Sequence, residues 1–179
     1  MAGFLRRRGK HERAAFQLYG SAVAAARDPY LYAQLGVPDT LDGRFDAIVL
    51  HVYLIVRRLE AEAEPGATLA QAVFDAMFLD MDINLREMGV GDLSVGKRNR
   101  AMWEAFHGRC ATYAAAWDDP AAFEAAIARN VWRAAEPPAG SAAAVVRLAA
   151  RQAACLATQP LDALLLGDIR FEPAEQATR

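Results

Sequence analysis

The segment Gly91-Asp92-Leu93-Ser94-Val95-Gly96-Lys97-Arg98 comes within one residue of the phosphate-cradling loop G-x-x-x-x-G-K-[ST]. Such a loop works because successive backbone N–H groups surround a phosphate, the lysine reaches its outer oxygens and a hydroxyl holds magnesium. Arg98 stands where the hydroxyl is required, and the run follows a helical pattern where the mechanism needs a strand. Nucleotide binding is therefore excluded, and glycines that let one helix stop and the next begin account for the run. Just upstream, Asp80-Met81-Asp82-Ile83-Asn84 has the opening of a calcium loop. Leu85 then takes the sixth place, which needs glycine, and Gly91 the twelfth, which needs a bidentate glutamate.

The carboxylates of this stretch have helical spacing instead. Asp80, Asn84 and Glu87 lie at i, i+4 and i+7, and Asp75 and Asp82 mark another edge, so they flank a stripe of Phe74, Met77, Phe78, Met81, Leu85 and Met88. Paired carboxylates serve acid–base or metal chemistry when a histidine or further ligand stands nearby. Here His11, His51 and His107 are scattered and none has ligand spacing. His51, on an apolar helix, reads as a satisfied core or interface histidine. No nucleophile elbow or dinucleotide fingerprint occurs. Cys110 and Cys155 sit among alanines, as small structural hydrophobes in a reducing compartment do. No catalytic residue and no metal or cofactor is expected.

The elements that must position these residues are helical throughout. A first helix is expected from about His11 to Arg27, broken by Asp28-Pro29, then a short helix ending at Gly36 and a loop over Val37 to Thr40. A second long helix, about Leu41 to Ala63, is apolar almost all round and must be central or offer one side to a partner. Pro65-Gly66 separates it from a third helix opening at Thr68, with Gln71 completing a capping box, and stopping at Gly89. A fourth runs from about Ser94 to Trp117, and Asp119-Pro120 starts a fifth with Phe123, Ile127 and Val131 in register. Glu136 to Gly140 reads as a linker, followed by an alanine-rich helix from Ser141 to about Thr158 and a short one from Pro160 to Leu166. The chain is expected to be an all-α, single-domain bundle of about six to seven helices over residues 11–171. Residues 1–10 form a basic flexible tail and 172–179 a frayed one.

The 179 residues are long enough for one buried core, and the net charge of −2 gives no global basic field for specific DNA binding. Charge is uneven, with nine basic and five acidic side chains in residues 1–58, against one basic and eight acidic in 59–92. The acidic block reads either as a solvated face or as a docking surface for a basic partner. No apolar run reaches the roughly 20 residues that span a bilayer. MAGFLRRRGK lacks the apolar stretch of a secretory signal and is short for a transit peptide. It suits a tether to anionic lipid or RNA.

Several segments resemble the ubiquinol–cytochrome c chaperone family, the assembly factors of respiratory complex III. They are Leu35 to Asp46 (LGVPDTLDGRFD), Leu50-His51, Phe74-Asp75, Phe78 to Lys97 (FLDMDINLREMGVGDLSVGK), and Phe106-His-Gly-Arg109, within roughly residues 15–135. The resemblance implies a non-catalytic chaperone that binds newly made cytochrome b. A ribosome and a small partner protein are further partners, and the location is cytoplasmic, peripheral to the inner membrane. A client with apolar helices and positive loops would suit an adaptable Met/Phe surface fringed by Asp75, Asp80, Asp82 and Glu87. The expected contacts are these acids with Phe78, Arg86 and Met88, and the loop bearing Gly89, Gly91, Asp92, Ser94, Gly96 and Lys97. The bland alternative makes the methionines simply core. Two other classes compete: a helical carboxylate or metal enzyme using the third-helix acids, and a ribosome- or RNA-binding module using Arg6 to Lys10.

Overall fold

A computed structural model describes the backbone of residues 2–133 and 135–179, and the side chains of those residues outside 2–10 and 92–93. Its α-helices are α1 (Ala2–Ala26), α2 (Pro29–Ala33), α3 (Leu41–Glu60), α4 (Gly66–Glu87), α5 (Asp92–Ala116), α6 (Pro120–Ile127), α7 (Ser141–Ala157), α8 (Leu161–Leu164) and α9 (Ala174–Ala177). Six of them have seven or more residues, and the described residues contain no strand, so the fold is the expected all-α bundle.

The all-round apolar helix is α3, and it is central. Seven consecutive residues from Val49 to Ile55 are buried, which requires neighbours on every side. Helices α1, α4, α5 and α7 surround it. His51 within this run is satisfied, its Nδ1 lying 2.8 Å from the Ala47 carbonyl and its ring edge-on to Phe171. Burial pushes its pKa down, so the ring stays neutral.

Short-range signals decide most ends. Thr40 Oγ1 accepts from Gly43 N–H, Asp28 Oδ1 from Tyr30 N–H, and Asp119 Oδ1 from both Ala121 and Ala122, each at 3.0–3.1 Å. Helix α4 ends in a Schellman turn: Gly89, at φ +78°, donates to Arg86 O and Val90 donates to Leu85 O.

Several boundaries differ from expectation. Helix α3 stops at Glu60, and the chain then turns so tightly that a Cβ on Gly66 would stand 2.6 Å from Leu59 O. Helix α4 accordingly opens two residues early, at Gly66. Thr68 then lies inside the first turn, bonded to Glu64, and no capping box forms with Gln71. Helix α5 opens at Asp92, so the expected loop from Gly89 to Lys97 shrinks to a turn at 88–91, and Ser94, Gly96 and Lys97 are helical. The backbone of residues 2–10 continues α1, and the basic tail's side chains lie outside the described residues. Residues 128–132 form a π-turn that closes α6, which periodicity alone did not signal.

The C-terminal residues are docked rather than frayed. Gln152 on α7 and Gln159, two residues beyond its end, each use their side-chain amide as donor and acceptor to the backbone of Glu172 and Arg170. Arg147 Nε donates to Thr178 O, and Ala174 N–H to Asp28 Oδ2. Two glutamine amides, each both donor and acceptor, thus hold the extended segment 170–172 against the C-terminal half and end of α7.

Candidate partner-binding face

Helices α4 and α5 form a hairpin closed by the turn at 88–91, and their seam is aromatic. Phe74 lies 4.7 Å from Phe78, 5.1 Å from Phe106 and 5.1 Å from His107, and His107 lies 4.2 Å from Trp103, all between ring centroids. Nearer the turn, Asn99 Nδ2 donates to Asp82 Oδ1 at 2.6 Å. The residues of α4 that meet α5 are thus Phe74, Phe78 and Asp82, four apart. The neighbouring stripe, one residue further round, is Asp75, Leu79, Ile83 and Arg86.

That stripe carries the exposed apolar surface. Leu79 is 51% exposed, Ile83 46%, Met88 55% and Trp103, across the seam, 47%. Four of the seven large apolar side chains exposed among the described residues therefore fall between positions 79 and 103. Singly exposed apolar residues need no explanation, whereas their concentration on one hairpin makes it the candidate face.

The predicted contacts distribute unevenly. Met77 and Met81 belong to the core at 0% and 7% exposure, so the methionine surface reduces to Met88, while Phe78 is half-buried in the seam. Asp80 and Asp82 do not share an edge. Asp80 accepts from Tyr19 Oη of α1 at 2.8 Å, and burial with this carboxylate raises the tyrosine's pKa. Asp82 faces α5 and is held by Arg86 Nε at 2.6 Å as well as by Asn99, and these bonds lower its pKa. Asp75 is exposed and takes a bond from Gln71, and Glu87 is exposed. Gly89 and Gly91 shape the turn, and Ser94, Gly96 and Lys97 are exposed on α5. The Asp92 side chain lies outside the described residues. Leu79, Ile83 and Trp103 were not among the predicted contacts. Their signal was an apolar residue breaking an otherwise polar edge, which is readable only once the buried edge is known.

The acids do not converge on a metal: among the described residues no group of three His, Cys, Asp or Glu side chains is placed to hold one. A shallow groove of about 550 Å³ between α5 and α6 is lined by alanines with Thr112 and Arg129, and offers no nucleophile or acid–base pair. Burial pushes the Cys110 thiol up to about 12, an inert thiol.

A second cluster escaped the sequence reading. Asp46 of α3 has no solvent exposure, and its carboxylate lies 2.8 Å from Arg109 Nε of α5 and 2.8 Å from Arg133 Nε just past the π-turn. Arg133 also reaches Asp42 at 2.6 Å and adopts φ +55°, unusual for a residue with a side chain. Trp132 Nε1 donates to Gly36 O at 2.8 Å, so Trp132 clasps the α2–α3 connection rather than lining an ordinary amphipathic face. Beside it Gly43 is packed so tightly that a Cβ would stand 2.0 Å from Pro38 O. Leu35–Asp46 and Phe106–Arg109, two of the segments that carry the family resemblance, thus meet inside the protein.

Comparison with known proteins places this architecture. The chain is similar over 97% of its length to the crystal structure of the Cbp3 homolog from Brucella abortus, covering 96% of that chain at 35% identity with a TM-score of 0.82. It is 24% identical over 94 residues to ubiquinol-cytochrome-c reductase complex assembly factor 1 of Xenopus laevis, which is 52% of this chain and 47% of that protein. The chain thus spans about half the length of this curated relative. The family model described as ubiquinol-cytochrome C chaperone matches residues 33–171, so the family's pattern includes α7 and α8, beyond the point where the sequence motifs ended. On this match, with the whole-length structural likeness beside it, the chain belongs to the ubiquinol–cytochrome c chaperone family.

Proposed function

We propose that this chain is a non-catalytic assembly chaperone for ubiquinol–cytochrome c reductase, and that it holds newly made cytochrome b on the α4–α5 face. The observation that carries the reading is the concentration of exposed Leu79, Ile83, Met88 and Trp103 on one hairpin of a member of a chaperone family. The curated relative from Xenopus laevis is named for assembly of that complex. A client made of transmembrane helices exposes apolar surface until it is assembled, and an apolar face with a half-buried aromatic base covers it reversibly. No helix among the described residues is long and apolar enough to cross a membrane, which suits a protein that meets its client at the cytoplasmic membrane surface. A ribosome, met by Arg6 to Lys10, and a small partner protein belong to the same reading.

Charge contributes less than the sequence suggested. Asp80 and Asp82 each hold an interhelical bond, so lysine there would disturb packing, while Asp75 and Glu87 remain open to a basic loop of the client.

The test is co-purification of cytochrome b with the tagged chain, alongside the haem b spectrum of a strain lacking the gene. Leu79→Asp with Trp103→Asp should abolish capture while leaving the melting temperature near wild type, and the deletion strain should lose haem b absorbance and complex III activity. Undiminished capture would move the client off this face, and a normal spectrum in the deletion strain would refute the chaperone reading.

A further inference from the structure

The tip of the α4–α5 hairpin differs from the seam behind it. The turn carries Met88 with more than half its surface exposed, Ile83 stands exposed one turn earlier, and Val90 is half-buried. The first turns of α5 then present Lys97, Arg98 and Arg100, all exposed. Arg100 pairs at 3.4 Å with Glu104, whereas Lys97 and Arg98 have no acidic partner among the described residues. Asp82 is already taken by Arg86 and Asn99, which leaves Glu87 as the exposed acid of the tip whose side chain is described. Residues 83–103 contain four basic and two acidic side chains, in a chain whose net charge is −2.

We infer that this tip docks on an anionic lipid surface, with Met88 and Ile83 entering the headgroup boundary while Lys97 and Arg98 meet lipid phosphates. Apolar side chains at an exposed turn backed by exposed cations match the amphipathic chemistry of that boundary. An acidic protein partner would match the cations and leave the apolar tip unused. A lone apolar partner would leave the cations without a role. Leu79 and Trp103, with the seam of Phe74 and Phe78 behind them, stay clear of the lipid and remain for the client, so of the exposed face proposed for it only Ile83 and Met88 are shared with the lipid. The inference rests on the exposure and charge of the tip and adds a second partner to the face already proposed for cytochrome b.

The experiment is co-sedimentation of the full chain with vesicles of phosphatidylcholine alone and with an equimolar mixture of phosphatidylcholine and phosphatidylglycerol. The wild type should pellet with the mixed vesicles only, and added salt should release it. Lys97→Glu with Arg98→Glu should weaken binding more than about tenfold, and Met88→Ser several-fold, with unchanged circular dichroism. Leu79→Asp with Trp103→Asp should still pellet, so failure of client capture and failure of lipid docking are read separately. Equal binding to both vesicles, no binding to either, or unchanged binding by the charge-reversed variant would overturn the inference. The last result would assign lipid contact to Arg6 through Lys10 instead. A dimer in solution that the tip substitutions dissolve would assign the tip to a second copy of the chain and overturn it equally.

Discussion

Asp46 and Asp82 are both carboxylates held by arginine, and they behave in opposite ways. Asp46 sits at the meeting of α3, α5 and the π-turn with no solvent exposure, and the loss of hydration outweighs Arg133 and Arg109, so its pKa is raised. Asp82 lies on the hairpin, where water remains available, and its bonds to Arg86 and Asn99 lower its pKa. A buried ion pair is costly to form and costlier to break, whereas an exposed one contributes little. The interior node therefore fixes how the helices are assembled. The hairpin face is built from interactions that can be exchanged for those of a partner.

The contrast is sharpest in what substitution should do to stability. Asp46→Ala removes both acceptor oxygens, leaves Arg109 without its counter-charge and Arg133 with Asp42 alone, and should cost about 3–5 kcal/mol, lowering the melting temperature by roughly 10 °C. A calorimetric loss below about 1 kcal/mol would make the node no different from a surface pair. Gly43→Ala forces a Cβ against the Pro38 carbonyl, which belongs to the backbone and cannot swing aside. A cost of about 2–3 kcal/mol in urea unfolding is expected. Trp103→Asp, on the hairpin, should change stability by less than about 1 kcal/mol while reducing cytochrome b capture. A large loss of stability there would make the aromatic seam a structural element like the node.

The smallest effect is the most direct comparison of the two acids. Because Asp46 has a raised folded-state pKa, its ionisation opposes folding, and that contribution to stability declines as pH rises from the unfolded value of 3.8 through the folded one. Asp82 has the reverse sign: its contribution is present above 3.8 and is lost as pH falls through its lowered folded value. Carboxyl ¹³C titration should show Asp46 above the ordinary aspartate range and Asp82 below it. Identical midpoints would remove the distinction.

What the sequence determined by itself was whatever acts within a few residues. Period, proline and caps gave an all-α chain and the starts at Pro29, Leu41, Pro120 and Ser141, because a helix start is decided by the side chains of one turn. The composition of Phe78 to Lys97 also carried the family resemblance. Only the tertiary structure decided which partner each polar group takes. Asp80 turned to α1 and Asp82 to α5 although they are two residues apart, because successive positions on a helix point about 100° from one another. The pairing of Asp46 with residues 63 and 87 positions later has no local signal, since helix period constrains a residue's face and not its neighbour. The docking of Glu172 and Arg170 on Gln152 and Gln159 is hidden for the same reason. The candidate face followed suit. Met77 and Met81 went to the core, and Leu79, Ile83 and Trp103 were left outside, once the packing of α1, α3 and α5 had chosen which sides of α4 to cover.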